Sequence, residues 1–176
     1  MYFAYGSNIN LDQMAYRCPN ATVIGPVTLE GYELTFRGRM DGSGVANIEP
    51  KEGASVPGLL WRITPQCEIA LDRYEGTPRL YAQQDVTVRY SKGKQHTVMA
   101  YVMTDLFREA AMPSPFYSNG IREGYRQNGM DETPLADALM QCRKEVSKQM
   151  DDRQLKMFAA NDKTNHHKKE KKHHER

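Results

Sequence analysis

One histidine, His96, stands outside the C-terminal tail. That scarcity argues against a histidine-built metal centre and against a nucleophile–histidine relay, because both chemistries need imidazole beside their other groups. Cysteine is nearly as rare: Cys18, Cys67 and Cys142 are odd in number, widely spaced and lack a Cys-x-x-Cys pair. They read as reduced thiols rather than a disulfide frame or a zinc site. No apolar run approaches the ~18–20 residues of a membrane span. The glycine-rich stretch Gly38–Gly44 lacks the Gly-Lys-Ser/Thr ending of a phosphate loop, so it reads as a flexible rim loop. The opening Met1-Tyr2-Phe3-Ala4-Tyr5 has neither the basic segment nor the cleavage site of a secretory leader, and the expectation is a cytoplasmic protein.

What is present fits one domain. The chain has 176 residues, 39% of them hydrophobic, enough for a real core. Its net charge of +2 is concentrated at the end, where Lys163, Lys168, Lys169, Lys171, Lys172 and Arg176 face only Glu170 and Glu175. The body is therefore mildly acidic and has no basic stripe for nucleic acid. Residues 1–160 read as the folded domain and 161–176 as a basic, low-complexity, disordered tail. The tail's histidine pairs and lysines read as solvated.

Local signals give an α+β order. Tyr2–Tyr5 is a short buried strand. Asn10 with Gln13 forms a capping pair for a helix over Leu11–Cys18. Ala21–Phe36 is rich in β-formers, with breaks at Gly25-Pro26 and Gly31, so one or two strands are expected. Val45–Ile48 and Val56–Ile63 read as two further strands. Thr64-Pro65 starts a helix that stops at Gly76. Tyr81–Tyr90 and His96–Met103 form a hairpin. Ser114 caps a helix through Arg126, and Leu135–Met150 is amphipathic. The expected architecture is a small, mixed but mostly antiparallel, barrel-like sheet with flanking helices.

Three clusters carry the chemistry. Tyr5-Gly6-Ser7-Asn8 ends a strand and enters a helix, which puts backbone N–H groups at a loop mouth, where they can hold a carboxylate or an oxyanion. Glu75 ends a helix one turn after Asp72. The negative helix end and a second carboxylate both favour its protonated form, as suits a proton acceptor that must also donate. Tyr117 follows Pro113-Ser114-Pro115 at a helix entry. Taken singly, these are an ordinary strand–turn–helix junction, an exposed helix-end glutamate and a packing aromatic.

Together they resemble the γ-glutamylcyclotransferase family. The resemblance runs from Tyr2-Phe3-Ala4-Tyr5-Gly6-Ser7-Asn8 through Gly44-Val45-Ala46, Val56-Pro57-Gly58 and Trp61. It continues through Leu71-Asp72-Arg73-Tyr74-Glu75-Gly76, Tyr81 and Tyr101-Val102-Met103-Thr104. It ends with Pro113-Ser114-Pro115-Phe116-Tyr117, Ile121, Gly124 and Asn128-Gly129. It implies a barrel-like mixed fold with one small-molecule pocket and neither metal nor organic cofactor. It further implies a γ-glutamyl substrate split into 5-oxoproline and a free amine or amino acid. Glu75 matches the family's catalytic carboxylate, Tyr5, Gly6, Ser7 and Asn8 its glutamyl-binding loop, and Tyr117 its pocket tyrosine. Pro113-Ser114-Pro115 with Tyr117 and the following Gly favour a free amino acid as the leaving group, a γ-glutamylamine cyclotransferase being the alternative; the oligomeric state stays open, a homodimer included. A non-catalytic binding module of the same fold is the alternative, against which the intact Glu75 argues.

Overall fold

A computed structural model describes residues 1–91 and 93–174, with side chains through residue 157. Five strands close a barrel in the order β1-β3-β2-β4-β5: β1 (Tyr2–Ala4), β2 (Thr22–Gly38), β3 (Gly44–Arg62), β4 (Tyr81–Arg89) and β5 (Gln95–Met103). Every pairing is antiparallel except that of β1 with β5, where Tyr2 lies opposite Met99. Closure removes free sheet edges and turns one face of each strand into a common core. Phe3, Phe36, Ile48, Leu59, Leu60, Val88 and Ala100 are all buried.

The helices are set by the capping residues read in the sequence. Asn10 accepts from the Gln13 amide to open α1 (Leu11–Arg17), Thr64 from Cys67 to open α2 (Pro65–Glu75), and Ser114 from Tyr117 to open α3 (Pro115–Gln127). Gly76, in the left-handed region at φ 68°, closes α2. α3 lies directly on the loop after β1: a Cβ at Gly124 would fall 2.6 Å from the Asn10 amide nitrogen. Any larger residue there would push α3 away from that loop.

Two expectations are revised. Val45–Ile48 and Val56–Ile63 are parts of one strand, β3, because pairing with β2 continues past Pro50. Tyr32 pairs with Pro50 and Glu30 with Ser55, so four residues of β3 bulge opposite Gly31 alone. Proline lacks the ladder N–H but is tolerated at such a bulge. The helix expected over Leu135–Met150 is longer, with α4 spanning Thr133–His174. The side chains of the proposed tail, 161–176, lie outside the described residues.

α4 is tied to the barrel by an ionic cluster. Arg37 on β2 donates from Nε and Nη2 to the Glu49 carboxylate and from Nη1 to Glu145 of α4, each at 2.6 Å. Burial would lower the Arg37 pKa, but the two carboxylates outweigh it and hold it raised. Glu49 is held below its ordinary value by Arg37 despite burial.

Candidate active site

The segment between β1 and α1 makes a tight turn instead of running straight into a helix. Ser7–Ile9 form a single 3-10 turn, closed by Ile9 N–H donating to the Gly6 carbonyl at 3.1 Å. The first amides of such a turn have no acceptor within it. The turn is fixed from below by Trp61 on β3, whose indole N–H donates to the Asn8 carbonyl at 3.1 Å.

α2 delivers Glu75 to the same place from the other side. The Asn8 side-chain amide donates both of its hydrogens, one to Glu75 Oε1 and one to the Tyr2 hydroxyl, each at 2.9 Å. Its oxygen accepts from Arg17 Nη1 at 2.6 Å. An asparagine amide has two orientations of similar shape, and the cation on its oxygen decides between them. With Arg17 on Oδ1, the nitrogen must face Glu75.

Arg17 is held in turn. It donates to Ser7 Oγ at 3.1 Å and to Gln13 Oε1 at 2.8 Å, and its guanidinium lies 3.8 Å from the centroid of the Tyr74 ring. Gln13 and Arg17 are one helical turn apart, so α1 presents both on one face.

Asn8, Glu75, Ser7 and Tyr74 border a cavity of about 100 Å³. All six residues singled out from the sequence line it: Tyr5, Gly6, Ser7, Asn8, Glu75 and Tyr117. Tyr5 donates its hydroxyl proton to the Tyr101 carbonyl. A Cβ at Gly6 would lie 3.3 Å from the Tyr117 hydroxyl, so the turn and α3 meet at this point. The Tyr117 hydroxyl accepts the Ala46 amide at 3.1 Å and keeps its own proton for another acceptor.

Desolvation pushes the Glu75 carboxyl up to about 7, while Arg17 and the Asn8 hydrogen bond pull the other way. The sequence reading had the direction but not the cause. It assigned the effect to Asp72 and the helix end. Asp72 instead accepts from Tyr101 at 2.8 Å and from Gln83 at 2.9 Å, turned away from the cavity. Tyr2, Tyr5, Tyr81, Tyr101 and Tyr117 are all raised by burial and remain protonated donors around one carboxyl. Glu75 is therefore the group here able to exchange a proton near neutral pH.

Sequence reasoning missed Arg17, and gave Arg39, Tyr2, Tyr74, Tyr81 and Tyr101 no role of their own. The spacing of Gln13 and Arg17 on a capped helix was the one available signal for Arg17. The tyrosines converge only because the barrel closes, which brings strands distant in sequence to one mouth.

The closed barrel brings six tyrosines and the raised Glu75 carboxyl to one cavity, the setting of an enzyme for a small molecule. The family model "Gamma-glutamyl cyclotransferase, AIG2-like" matches residues 2–120, and the chain belongs to that family. It is similar to the mouse protein named "Gamma-glutamylcyclotransferase", 32% identical over 139 residues, covering 75% of this chain and 73% of the relative. The human protein of the same name is 33% identical over 138 residues, covering 74% and 72%. A solved structure named "Gamma-glutamyl cyclotransferase" superposes with a TM-score of 0.71 at 30% identity, covering 78% of this chain and 84% of that one.

Proposed function

We propose that the protein is a γ-glutamyl cyclotransferase, closing the γ-glutamyl group of a small substrate on itself to release 5-oxoproline and a free amine or amino acid. One observation carries the reading: a carboxyl raised to about 7 faces a cavity bordered by the Tyr5–Asn8 turn. The relatives' names support the same reaction.

The substrate brings its own nucleophile, so the site needs only to fold it and move protons from the α-nitrogen to the leaving nitrogen. Ionised Glu75 takes a proton from the α-ammonium group. The freed amine attacks the γ-carbonyl carbon, forming the ring C–N bond and a tetrahedral oxyanion. The bond to the leaving nitrogen then breaks as Glu75 returns the proton to that nitrogen, and the ring nitrogen gives up its second proton to the departing amine, which leaves as an ammonium. No water is consumed, and the carboxylate is regenerated. Holding the chain in a ring-like pose supplies the proximity advantage. A carboxyl with a pKa near the working pH serves well as base and then as acid. The amides of the 3-10 turn receive the glutamyl carboxylate or the oxyanion. Tyr5 and Tyr117 shape the pocket, and the Tyr117 hydroxyl offers its proton to substrate.

The catalytic unit is residues 1–160, and every residue of the site precedes residue 118. Among the described residues no helix is long and apolar enough to cross a membrane. Three free thiols suit a reducing cytoplasm, where we place the enzyme.

Release of 5-oxoproline from a panel of γ-glutamyl dipeptides and γ-glutamyl-ε-lysine tests the reading. Product from at least one class is expected. No product from any of them would contradict it.

A further inference from the structure

Two of the three free cysteines meet beside the site without lining its cavity. Cys18 follows Arg17 and caps the C-terminus of α1, its N–H donating to the Met14 carbonyl at 2.7 Å. Cys67 lies in the first turn of α2, where the capping Thr64 donates its hydroxyl proton to Cys67 Sγ at 3.3 Å. The Cys18 thiol donates to the Cys67 carbonyl at 3.6 Å, so the end of α1 rests on the start of α2. Cys142 sits apart, its thiol directed at the carbonyls of Phe36 and Ala111.

The two sulfurs differ. Burial pushes the Cys18 thiol up to about 12, and the Cys67 sulfur beside it acts in the same direction. Burial also opposes ionisation of Cys67, but hydrogen bonds from Thr64 and Cys18 outweigh it and hold Cys67 below its ordinary value. The thiolate is the nucleophilic form, so Cys67 is the attacking sulfur and Cys18 the resolving one. Both side chains are buried. Thr64, however, borders a surface hollow with Pro65 and Glu68, which brings an oxidant as small as hydrogen peroxide within one side chain of Cys67.

Each thiol is also tied to a group that governs the acid. Arg17 immediately precedes Cys18. Glu75 ends the helix that Cys67 begins, eight residues on and about 12 Å along its axis. Resting on the function proposed above for its effect on turnover, we infer that Cys18 and Cys67 are a peroxide-sensitive pair whose reversible disulfide lowers the activity of the site. The Cys67 thiolate attacks one peroxide oxygen: the O–O bond breaks, an S–O bond forms, and the departing hydroxide takes a proton to become water. The Cys18 sulfur then attacks the sulfenic sulfur, forming the S–S bond and breaking S–O, and its proton leaves with that hydroxide as a second water. The thiols have given two electrons to the peroxide, and a thiol reductant returns them by exchange. An S–S bond of about 2.05 Å is far shorter than any contact between free thiols, so the end of α1 is drawn toward α2. Arg17 moves with it, which disturbs its bonds to Asn8 at 2.6 Å and Ser7 at 3.1 Å. Glu75 then loses part of the charge that favours its carboxylate.

The test uses the full chain, reduced and then treated with hydrogen peroxide without denaturant. The expected product is a peptide pair joining Cys18 to Cys67, two hydrogens lighter, with Cys142 still free. The kcat/KM for 5-oxoproline release should fall by roughly 10- to 100-fold, the worth of a charge-assisted hydrogen bond, and return with dithiothreitol. Cys18→Ser and Cys67→Ser should match the reduced wild type and resist inactivation, and Cys18→Ser should accumulate a sulfenic acid at Cys67 that dimedone traps. Melting curves check that both variants are folded. Survival of all three thiols, or a bond that involves Cys142, would overturn the inference. So would a Cys18–Cys67 bond that leaves kcat/KM unchanged, or serine variants inactivated as fast as the wild type. The cross-link is read by mass, so a reduced wild type that releases no 5-oxoproline from any substrate of the panel would sink the proposed function and leave the disulfide to be judged separately.

Discussion

Asn8 and Glu75, 67 residues apart in sequence, are joined by a hydrogen bond of 2.9 Å from the asparagine amide to Oε1. The contact welds the turn after β1 to the end of α2. It also gives the carboxylate form of Glu75 a donor, so that burial raises the acid only to about 7. The orientation of that amide depends on Arg17, which occupies its oxygen.

Replacing Arg17 by Gln removes a positive charge that lowers the pKa of Glu75. The acid must then titrate at higher pH, so the acidic limb of the kcat/KM profile should move toward alkaline pH. Lysine at the same position keeps the charge and should hold the limb nearer its original place. A full pH profile of each variant checks this, and an unmoved limb in Arg17→Gln would separate Arg17 from Glu75.

Glu75 also links activity to stability. Its folded value of about 7 exceeds the ordinary 4.5, so the folded state binds more protons between these values. Its contribution is therefore fully present below about pH 4.5 and is lost as pH rises through 7. Glu75→Gln stays neutral throughout. It should gain on the wild type by about 1–3 kcal/mol between pH 5 and 8. Urea unfolding of both proteins at the two pH values measures the gap, and a constant gap would mean that Glu75 is not desolvated.

Tyr117→Phe keeps the ring but removes the hydroxyl that accepts the Ala46 amide. A neutral hydrogen bond is worth about 0.5–1.5 kcal/mol, so a small drop in Tm is expected. If the hydroxyl also donates to substrate, kcat/KM should fall by roughly twofold to a hundredfold in protein that remains folded. The two are measured on one preparation. Kinetics that change only in proportion to lost folded protein would return Tyr117 to a packing role.

Arg37→Met leaves Glu49 and Glu145 facing each other without their shared cation. Both carboxylates are about one-third exposed, so the loss should be nearer that of a charged hydrogen bond, about 1.5–3 kcal/mol, than that of a fully buried pair. α4 should loosen from β2 before the barrel opens. Hydrogen exchange resolved along the chain distinguishes this from uniform destabilisation.

The parts of the fold legible in the sequence were those marked by local punctuation. Thr64-Pro65 and Gly76 bound α2, and Asn10, Gln13 and Ser114 mark helix entries, because caps act within three or four residues. The continuity of β3 through Pro50 was not legible. It depends on a bulge opposite Gly31, which only the partner strand defines. The site divides in the same way. Glu75 and the Tyr5–Asn8 turn stand in short motifs, so they could be named. Arg17 and the ring of tyrosines act through space, and what they do to Glu75 depends on burial that no local pattern records.

Release of 5-oxoproline by wild-type protein and by Glu75→Gln tests the central claim most directly. Glutamine preserves the shape of the side chain but cannot carry the proton. The account predicts product from the wild type and a turnover lower by ~10²–10⁴ in the variant, which should fold as well as or better than the wild type at neutral pH. Near-normal turnover by folded Glu75→Gln would contradict it.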